Sequence, residues 1–221
     1  MIYMDRRDAG QRLARGLAHY RQDEPVVLAL PRGGVVVAAE IAGALDAPLD
    51  LVLVRKIGVP FQPELAMGAV VDGRPPHIIR NDDIIAFSGI SEEAFDRVCE
   101  AELSEIVRRR KLYLADRPHA DVEDRVVIVV DDGIATGATT RAALEAIRER
   151  KPKKLVLAAP VAPTRTLEEL KGLSDEIVCL QSHEPFYAIG FYYDDFRQVS
   201  DGEVIGILSK ARRPETTISQ T

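Results

Sequence analysis

The chain is punctuated by continuous apolar runs too short to be helices: PVVLAL (25–30), LDLVLV (49–54), RVVIVV (125–130), KLVLAAPV (154–161) and EIVCL (176–180). Val, Ile and Leu without polar alternation mark strands buried on both faces. A helix-length stretch, GVVVAAEIAGAL (34–45), separates the first two runs, and another, about 138–150, separates the third from the fourth. Strand, helix and strand in that order form a βαβ unit, and βαβ units imply a parallel sheet. A preceding segment, 5–20, repeats Ala9, Leu13, Leu17 and Tyr20 at helical spacing, which predicts an amphipathic helix leading into the domain.

Between the two halves the grammar changes. LAMGAVVDGRPPHII (65–79) has two apolar segments around Asp72-Gly73, a hairpin signal. Ser91, followed by Glu92 and Glu93, predicts the start of a long polar helix ending in RRRKLY (108–113), with acids first and bases last as the helix dipole favours. RRRK itself reads as a solvated helix end, and NDD (81–83) as a turn with capping acids. After Leu180 comes an aromatic tail, EPFYAIGFYYDDF, and then a helix from about Asp201. At 221 residues the chain suits one full-sized domain. The expected division is a core over about 24–180, an insertion over about 60–120 and a C-terminal hood over about 181–221.

Composition excludes several classes. A formal charge of -6 argues against a nucleic-acid surface covering the molecule. Cys99 and Cys179 have neither metal spacing nor a second pair, so no disulfide framework or zinc site is expected. No apolar run reaches the length of a membrane span and the N-terminus has no signal-peptide core, so the expected setting is cytoplasmic, away from membranes. His19, His77, His119 and His183 are scattered, which disfavours a histidine metal site or triad.

The chemistry concentrates in VVIVVDDGIATGATT (126–140). In an open parallel sheet, ligands bind beyond the carboxyl ends of the strands, where Asp131 and Asp132 fall. The following Gly- and Thr-rich turn at a helix start offers N–H groups, hydroxyls and a positive dipole end, which suit a phosphate. Acids with a phosphate cradle point to a sugar phosphate. The same acids also suit a solvated turn and N-cap, but the ordered combination is rarer. Neither GxxxxGK[ST] nor GxGxxG occurs, which disfavours P-loop and dinucleotide-binding readings.

This stretch resembles the 5-phosphoribosyl-1-pyrophosphate (PRPP) motif of the type I phosphoribosyltransferases. The resemblance implies an α/β fold with a central, mainly parallel sheet flanked by helices, carrying a C-terminal hood and an inserted hairpin plus long helix. By the same resemblance, Asp131 and Asp132 take the ribose, and Ala135, Thr136, Gly137, Ala138, Thr139 and Thr140 take the 5-phosphate. ALPRGGVVVA (29–38) stands where the family carries its pyrophosphate loop, implicating Arg32, Gly33 and Gly34. VRKIGVP (54–60) is similar to an element of adenine phosphoribosyltransferases, and Arg55 and Lys56 are expected as pyrophosphate ligands, since cations ending a buried strand call for an anionic partner. FYAIGFYYDDF (186–196) resembles the base-binding strand of the hypoxanthine-guanine enzymes, implying that Phe186 or Tyr187 stacks on a base and Asp194 or Asp195 approaches Mg²⁺.

Two departures bear on the acceptor. Ala135 stands where the oxopurine enzymes keep an Asp, and Val161-Ala162 where they keep a Lys that reads the exocyclic oxygen. The whole chain is also similar to predicted bacterial and archaeal phosphoribosyltransferases of unassigned acceptor. The implied activity is Mg²⁺-dependent transfer from PRPP to a nitrogenous base, purine-like, with release of pyrophosphate. The expected partners are PRPP and a small-molecule base, without nucleic acid or membrane, and a homo-oligomer is compatible. A non-catalytic PRPP or nucleotide sensor, and a nucleotide phosphorolysis or hydrolysis enzyme using the same pocket, stay open as alternatives. Retained Arg55 and Lys56 tilt the reading toward an enzyme.

Overall fold

A computed structural model describes residues 2–73 and 75–213. Residues 214–221 of the expected hood and Arg74 in the expected hairpin lie outside it.

The chain opens with α1 (Arg6–Gly16), N-capped by Asp5, whose carboxylate accepts from the amides of Arg7 and Asp8. A 3₁₀ turn (Ala18–Asp23) leads into β1 (Val26–Ala29), α2 (Gly33–Leu45) and β2 (Leu49–Leu51). Next come β3 (Val54–Val59), β4 (Gln62–Val71), β5 (His77–Arg80), α3 (Asp82–Phe87) and α4 (Glu92–Leu114). The second half runs β6 (Val126–Val130), α5 (Ala138–Glu149), β7 (Lys154–Pro163), α6 (Thr164–Leu170) and β8 (Glu176–His183). A 3₁₀ turn (Ile189–Tyr192) and α7 (Asp201–Lys210) complete the described chain.

Five strands form one sheet in the order β2-β1-β6-β7-β8, every pairing parallel. β1, β2, β6 and β7 are buried on both sides, as their apolar composition requires, whereas the edge strand β8 is only half-buried and Leu180 is exposed, so EIVCL is not the doubly covered strand its composition suggests. Val27 and Ala29 of β1 face a layer with Leu13, Val35 and Ile41 of α1 and α2. Val26 and Leu28 face the opposite layer, with Leu144 and Ile147 of α5. From β1 the chain crosses to β2 on one side, and from β6 it crosses to β7 on the other. The strand order therefore reverses between β1 and β6, and the crevice beyond their carboxyl ends is the ligand position of such sheets.

The expected strand 49–54 divides. Its first part is β2, whereas Val54 begins a separate antiparallel sheet, β3-β4-β5, with Val54 opposite Val71 and Val71 opposite His77. The apolar run continues through Val52 and Leu53 because both are buried where the chain passes from one sheet to the other. An apolar run cannot by itself report which sheet a residue pairs in. The β3–β4 hairpin and the short helices α3 and α6 were not expected as separate elements. NDD does cap a helix: the Asn81 side chain accepts from the Ile84 amide at the start of α3.

The solvated reading of RRRK fails at Arg110. Its side chain is 11% exposed and pairs with Asp72 at 2.7 Å, with Asp50 at 3.7 Å. Asp50 also accepts from the amides of Leu51 and Ala120. Arg108 and Arg109, by contrast, turn back to Glu105 on their own helix. One face of the α4 end packs inward between the two sheets, so the three arginines have different surroundings. No helix among the described residues is long and apolar enough to cross a membrane.

Candidate active site

Asp131 and Asp132 follow the last residue of β6, at the carboxyl edge of the sheet. The Leu30 amide bonds Val130 O, and the Asp131 amide bonds Ala158 O, so neighbouring strands on both sides hold this edge. Asp131 Oδ1 accepts from the Asp132 amide at 2.8 Å. Burial, and then the neighbouring Asp132 carboxylate, pushes the Asp131 carboxyl well above its ordinary range. Asp131 is thus the member of the pair driven toward its neutral form.

The loop after β1 lies directly on these acids. A Cβ at Gly34 would come 2.8 Å from Val130 O and 3.1 Å from Asp131 Cα, and one at Gly33 would overlap the Asp132 carboxylate. Only glycines let the two loops approach this closely. Arg32 precedes them; its Nη1 is 3.6 Å from Asp201 at the start of α7, and the Pro31-Arg32 peptide is cis.

In the loop after β6, Ala135 and Thr136 are exposed, and Gly137 has φ +75°, a left-handed conformation natural to glycine. α5 then begins at Ala138 with no side chain capping its first turn, so its leading amides lack intrahelical acceptors. Ala138 and Thr139 are exposed, whereas Thr140 is buried. Thr166 of α6 braces the loop, its hydroxyl donating to Ala135 O at 3.0 Å. The sequence reading missed Thr166, because only the chain's return through β7 brings it near.

Two further residues complete the floor. Arg6 of α1 donates from Nε to Asp132 Oδ2 at 2.5 Å and from Nη1 to Arg197 O at 2.9 Å, while its guanidinium lies 3.8 Å from the Phe196 ring centroid. Tyr193 donates its hydroxyl to Asp132 O at 2.6 Å, and burial pushes that phenol far above its ordinary range. The sequence held a signal for Arg6: the buried stripe of α1 is Arg6, Ala9, Gly10, Leu13 and Ala14, a charge at an apolar position.

The remaining expected residues lie in different settings. Arg55 sits on β3, paired at 2.6 Å with Glu102 of α4, and Lys56 is 3.5 Å from Glu64. They do not end a buried parallel strand, and both already have carboxylate partners within the protein. Phe186 is half-buried and stacks on Tyr192, which stacks in turn on His183. Tyr187 is 78% exposed, against Phe191. The hood reaches the acids through Ile189, which packs so closely on Gly133 that a Cβ there would overlap it.

Asp194 and Asp195 are exposed, their amides bonded to Tyr3 O and Met4 O. The Asp195 carboxylate accepts from the Arg197 amide and pairs with its guanidinium at 2.6 Å, which holds it below the usual range. Among the described residues, no three His, Cys, Asp or Glu side chains converge on a metal-sized site. A cavity of about 600 Å³ between α2 and α7 has Arg6 and Asp195 in its wall, but not Asp131 or Asp132. It backs onto the carboxylate crevice and is not part of it.

The chain is 43% identical over 212 residues to Mycobacterium tuberculosis proteins named "Putative phosphoribosyl transferase" MT0597 and Rv0571c, covering 96% of this chain and 47% of each relative. It thus spans about half the length of the curated relatives it matches. A shorter match, 56% identity over 41 residues or 18% of the chain, is to the "Bifunctional protein PyrR" of Clostridium acetobutylicum. Among solved structures, TT1426 from Thermus thermophilus superposes with a TM-score of 0.81 at 41% identity, covering 94% of this chain and 98% of that one. The central parallel sheet flanked by helices is the type I phosphoribosyltransferase fold. The family model described as "Phosphoribosyl transferase domain" matches residues 4–195, and with that match the chain belongs to the phosphoribosyl transferase domain family.

Proposed function

We propose that the protein transfers the 5-phosphoribosyl group of PRPP to a nitrogenous base, purine-like in shape, with loss of pyrophosphate. The observation that carries this reading is the junction of two loops at the strand-order reversal. The Asp131-Asp132 pair and the uncapped first turn of α5 emerge from β6, and Gly33-Gly34 emerges from β1 in direct contact with those acids. Asp131 and Asp132 hold the ribose hydroxyls, and the Ala135–Thr140 loop takes the 5-phosphate on the first-turn amides of α5. The Arg32–Gly34 loop takes the pyrophosphate, with Arg32 close by.

The C1–oxygen bond to pyrophosphate breaks as the base nitrogen bonds to C1, through an oxocarbenium-like transition state. The carboxylate end of the site then faces growing positive charge, while the glycine loop and Arg32 face the departing anion. Arg55 and Lys56 join this anion only by giving up Glu102 and Glu64.

A Mg²⁺ ion here would bring most of its oxygens from PRPP and water, as Mg²⁺ commonly does, with the exposed Asp194 offering a carboxylate and Asp195 held by Arg197. When bound, it would neutralise pyrophosphate charge. Phe186 and Tyr187 are the aromatic faces offered to a base. Ala135, together with Val161 and Ala162, supplies no polar reader of an exocyclic oxygen at either position, which disfavours an oxopurine.

A second reading, binding of PRPP or a nucleotide without turnover, is favoured by one observation: the two cations expected at the pyrophosphate end are engaged by carboxylates. Incubation with PRPP, Mg²⁺ and a panel of bases, followed by pyrophosphate release, separates the readings. Base-dependent release supports the transferase. PRPP binding without release supports the sensor, and release that ignores the base supports hydrolysis.

A further inference from the structure

Arg6 stands at the one place where the N-terminal helix, the acid pair and the hood meet. Its side chain is 10% exposed, and that of Asp132 is 14%. One N–H each of its Nε and Nη1 is given to Asp132 Oδ2 and Arg197 O, and its flat face to the Phe196 ring, while the side chain also lines the cavity between α2 and α7. Held on three sides, the guanidinium acts on the crevice through the groups it holds. The one bearing on chemistry is Asp132, engaged by Arg6 through Oδ2 only. With Gly33 packed against the same carboxylate, the group cannot swing toward the glycine loop.

We propose that Arg6 is the positioning residue of the sugar subsite: it pins one oxygen of Asp132, turns the other to the ribose, and fastens the Phe196–Arg197 segment of the hood over the same point. The inference rests on the reading of Asp131 and Asp132 as ribose ligands. It makes α1, which contributes no motif residue, part of the active site's support. Arg6 also faces Asp131 electrostatically, its positive charge opposing the burial that drives that carboxyl neutral. Loss of Arg6 therefore acts first on the two acids; it lies against Gly33, where an added Cβ would come 2.8 Å from its Nε, but its hydrogen bonds go to Asp132 and Arg197 O rather than to the Arg32–Gly34 loop.

The test is calorimetric binding of two probes, ribose 5-phosphate and inorganic pyrophosphate, to the full chain and to Arg6→Gln, Arg6→Lys, Asp132→Asn and the Arg6→Gln/Asp132→Asn pair. Arg6→Gln is expected to weaken ribose 5-phosphate about tenfold, the scale of one hydrogen bond to a charged group, and to leave pyrophosphate affinity unchanged. Arg6→Lys keeps the charge without the fork or the stack and should fall between wild type and Arg6→Gln. In the Asp132→Asn background, Arg6→Gln should add no further loss, because the two act as one unit.

Equal loss of both probes, unchanged ribose 5-phosphate affinity in Arg6→Gln, or full additivity in the double variant would each overturn the role of Arg6. If Arg6→Gln does not fold, Phe196→Leu removes the ring beneath the guanidinium. It should weaken ribose 5-phosphate alone, about threefold on the scale of one cation–π contact, and no change there also overturns the proposal. Wild-type protein that does not bind ribose 5-phosphate, or an Asp132→Asn variant that binds it normally, would instead refute the ribose assignment itself and the inference with it.

Discussion

Gly33 is the residue at which fold and chemistry constrain each other most tightly. A methyl group there collides with the Asp132 carboxylate, which Arg6 prevents from moving away. Gly33→Ala should destabilise the protein by about 1–3 kcal/mol, the range of overpacking, and weaken ribose 5-phosphate binding; thermal melts and calorimetry on one preparation check both. Asp131 makes an opposite trade. Its folded-state carboxyl titrates above that of the unfolded chain, so the native state holds more protons between the two values and stability falls as pH rises through that window. Asp131→Asn should flatten that dependence and raise the melting temperature of ligand-free protein at neutral pH, while impairing ribose 5-phosphate binding. A melting curve that keeps its wild-type pH slope would refute the assignment. Both acids and both glycines were legible in the sequence, since each sits in a motif. Arg6 was legible only as a charge on the buried stripe of α1, and its role was not, because its partner Asp132 lies 126 residues away in the sequence.

Among the elements, α5 carries the most. Gly137 starts it in a left-handed conformation, with Thr166 close enough that an added Cβ would come 2.7 Å from its methyl. Gly137→Ala combines positive-φ strain with that contact and should cost about 1–3 kcal/mol in chemical denaturation. It should also weaken ribose 5-phosphate more than pyrophosphate. The strands and helices of the parallel half were legible because burial on both faces leaves an unbroken apolar signature. The insertion was legible only in part. The β3–β4 hairpin hides its turn at Pro60-Phe61 and continues an apolar run across a change of sheet, so Arg55 and Lys56 were expected at the end of the wrong strand. The surface reading of Arg110 failed for a related reason: charge composition does not reveal which side of a helix end is enclosed.

At the scale of the whole molecule, Arg110 joins the two sheets. It lies between Asp50 of β2 and Asp72 just beyond β4, and His119 Nε2 is 3.6 Å from Asp72. Burial lowers the His119 pKa, so acidification below its ordinary value charges it preferentially in the unfolded chain and erodes stability. Arg110→Met would leave two buried carboxylates without their cation, which costs about 3–5 kcal/mol in comparable cases. Equilibrium unfolding should show that loss, and a change below about 1 kcal/mol would mean that Arg110 contributes no more than a surface pair.

The central claim is that the acid pair after β6 is a sugar clamp on a phosphoribosyl donor. Its most direct test is calorimetric titration of PRPP with Mg²⁺ into the wild-type chain and the Asp131→Asn/Asp132→Asn variant. Binding by the wild type and affinity lower by about a hundredfold in the variant, the scale of two charge-assisted contacts, is the expected result. Equal affinity in the two proteins, or no binding by the wild type, would contradict it.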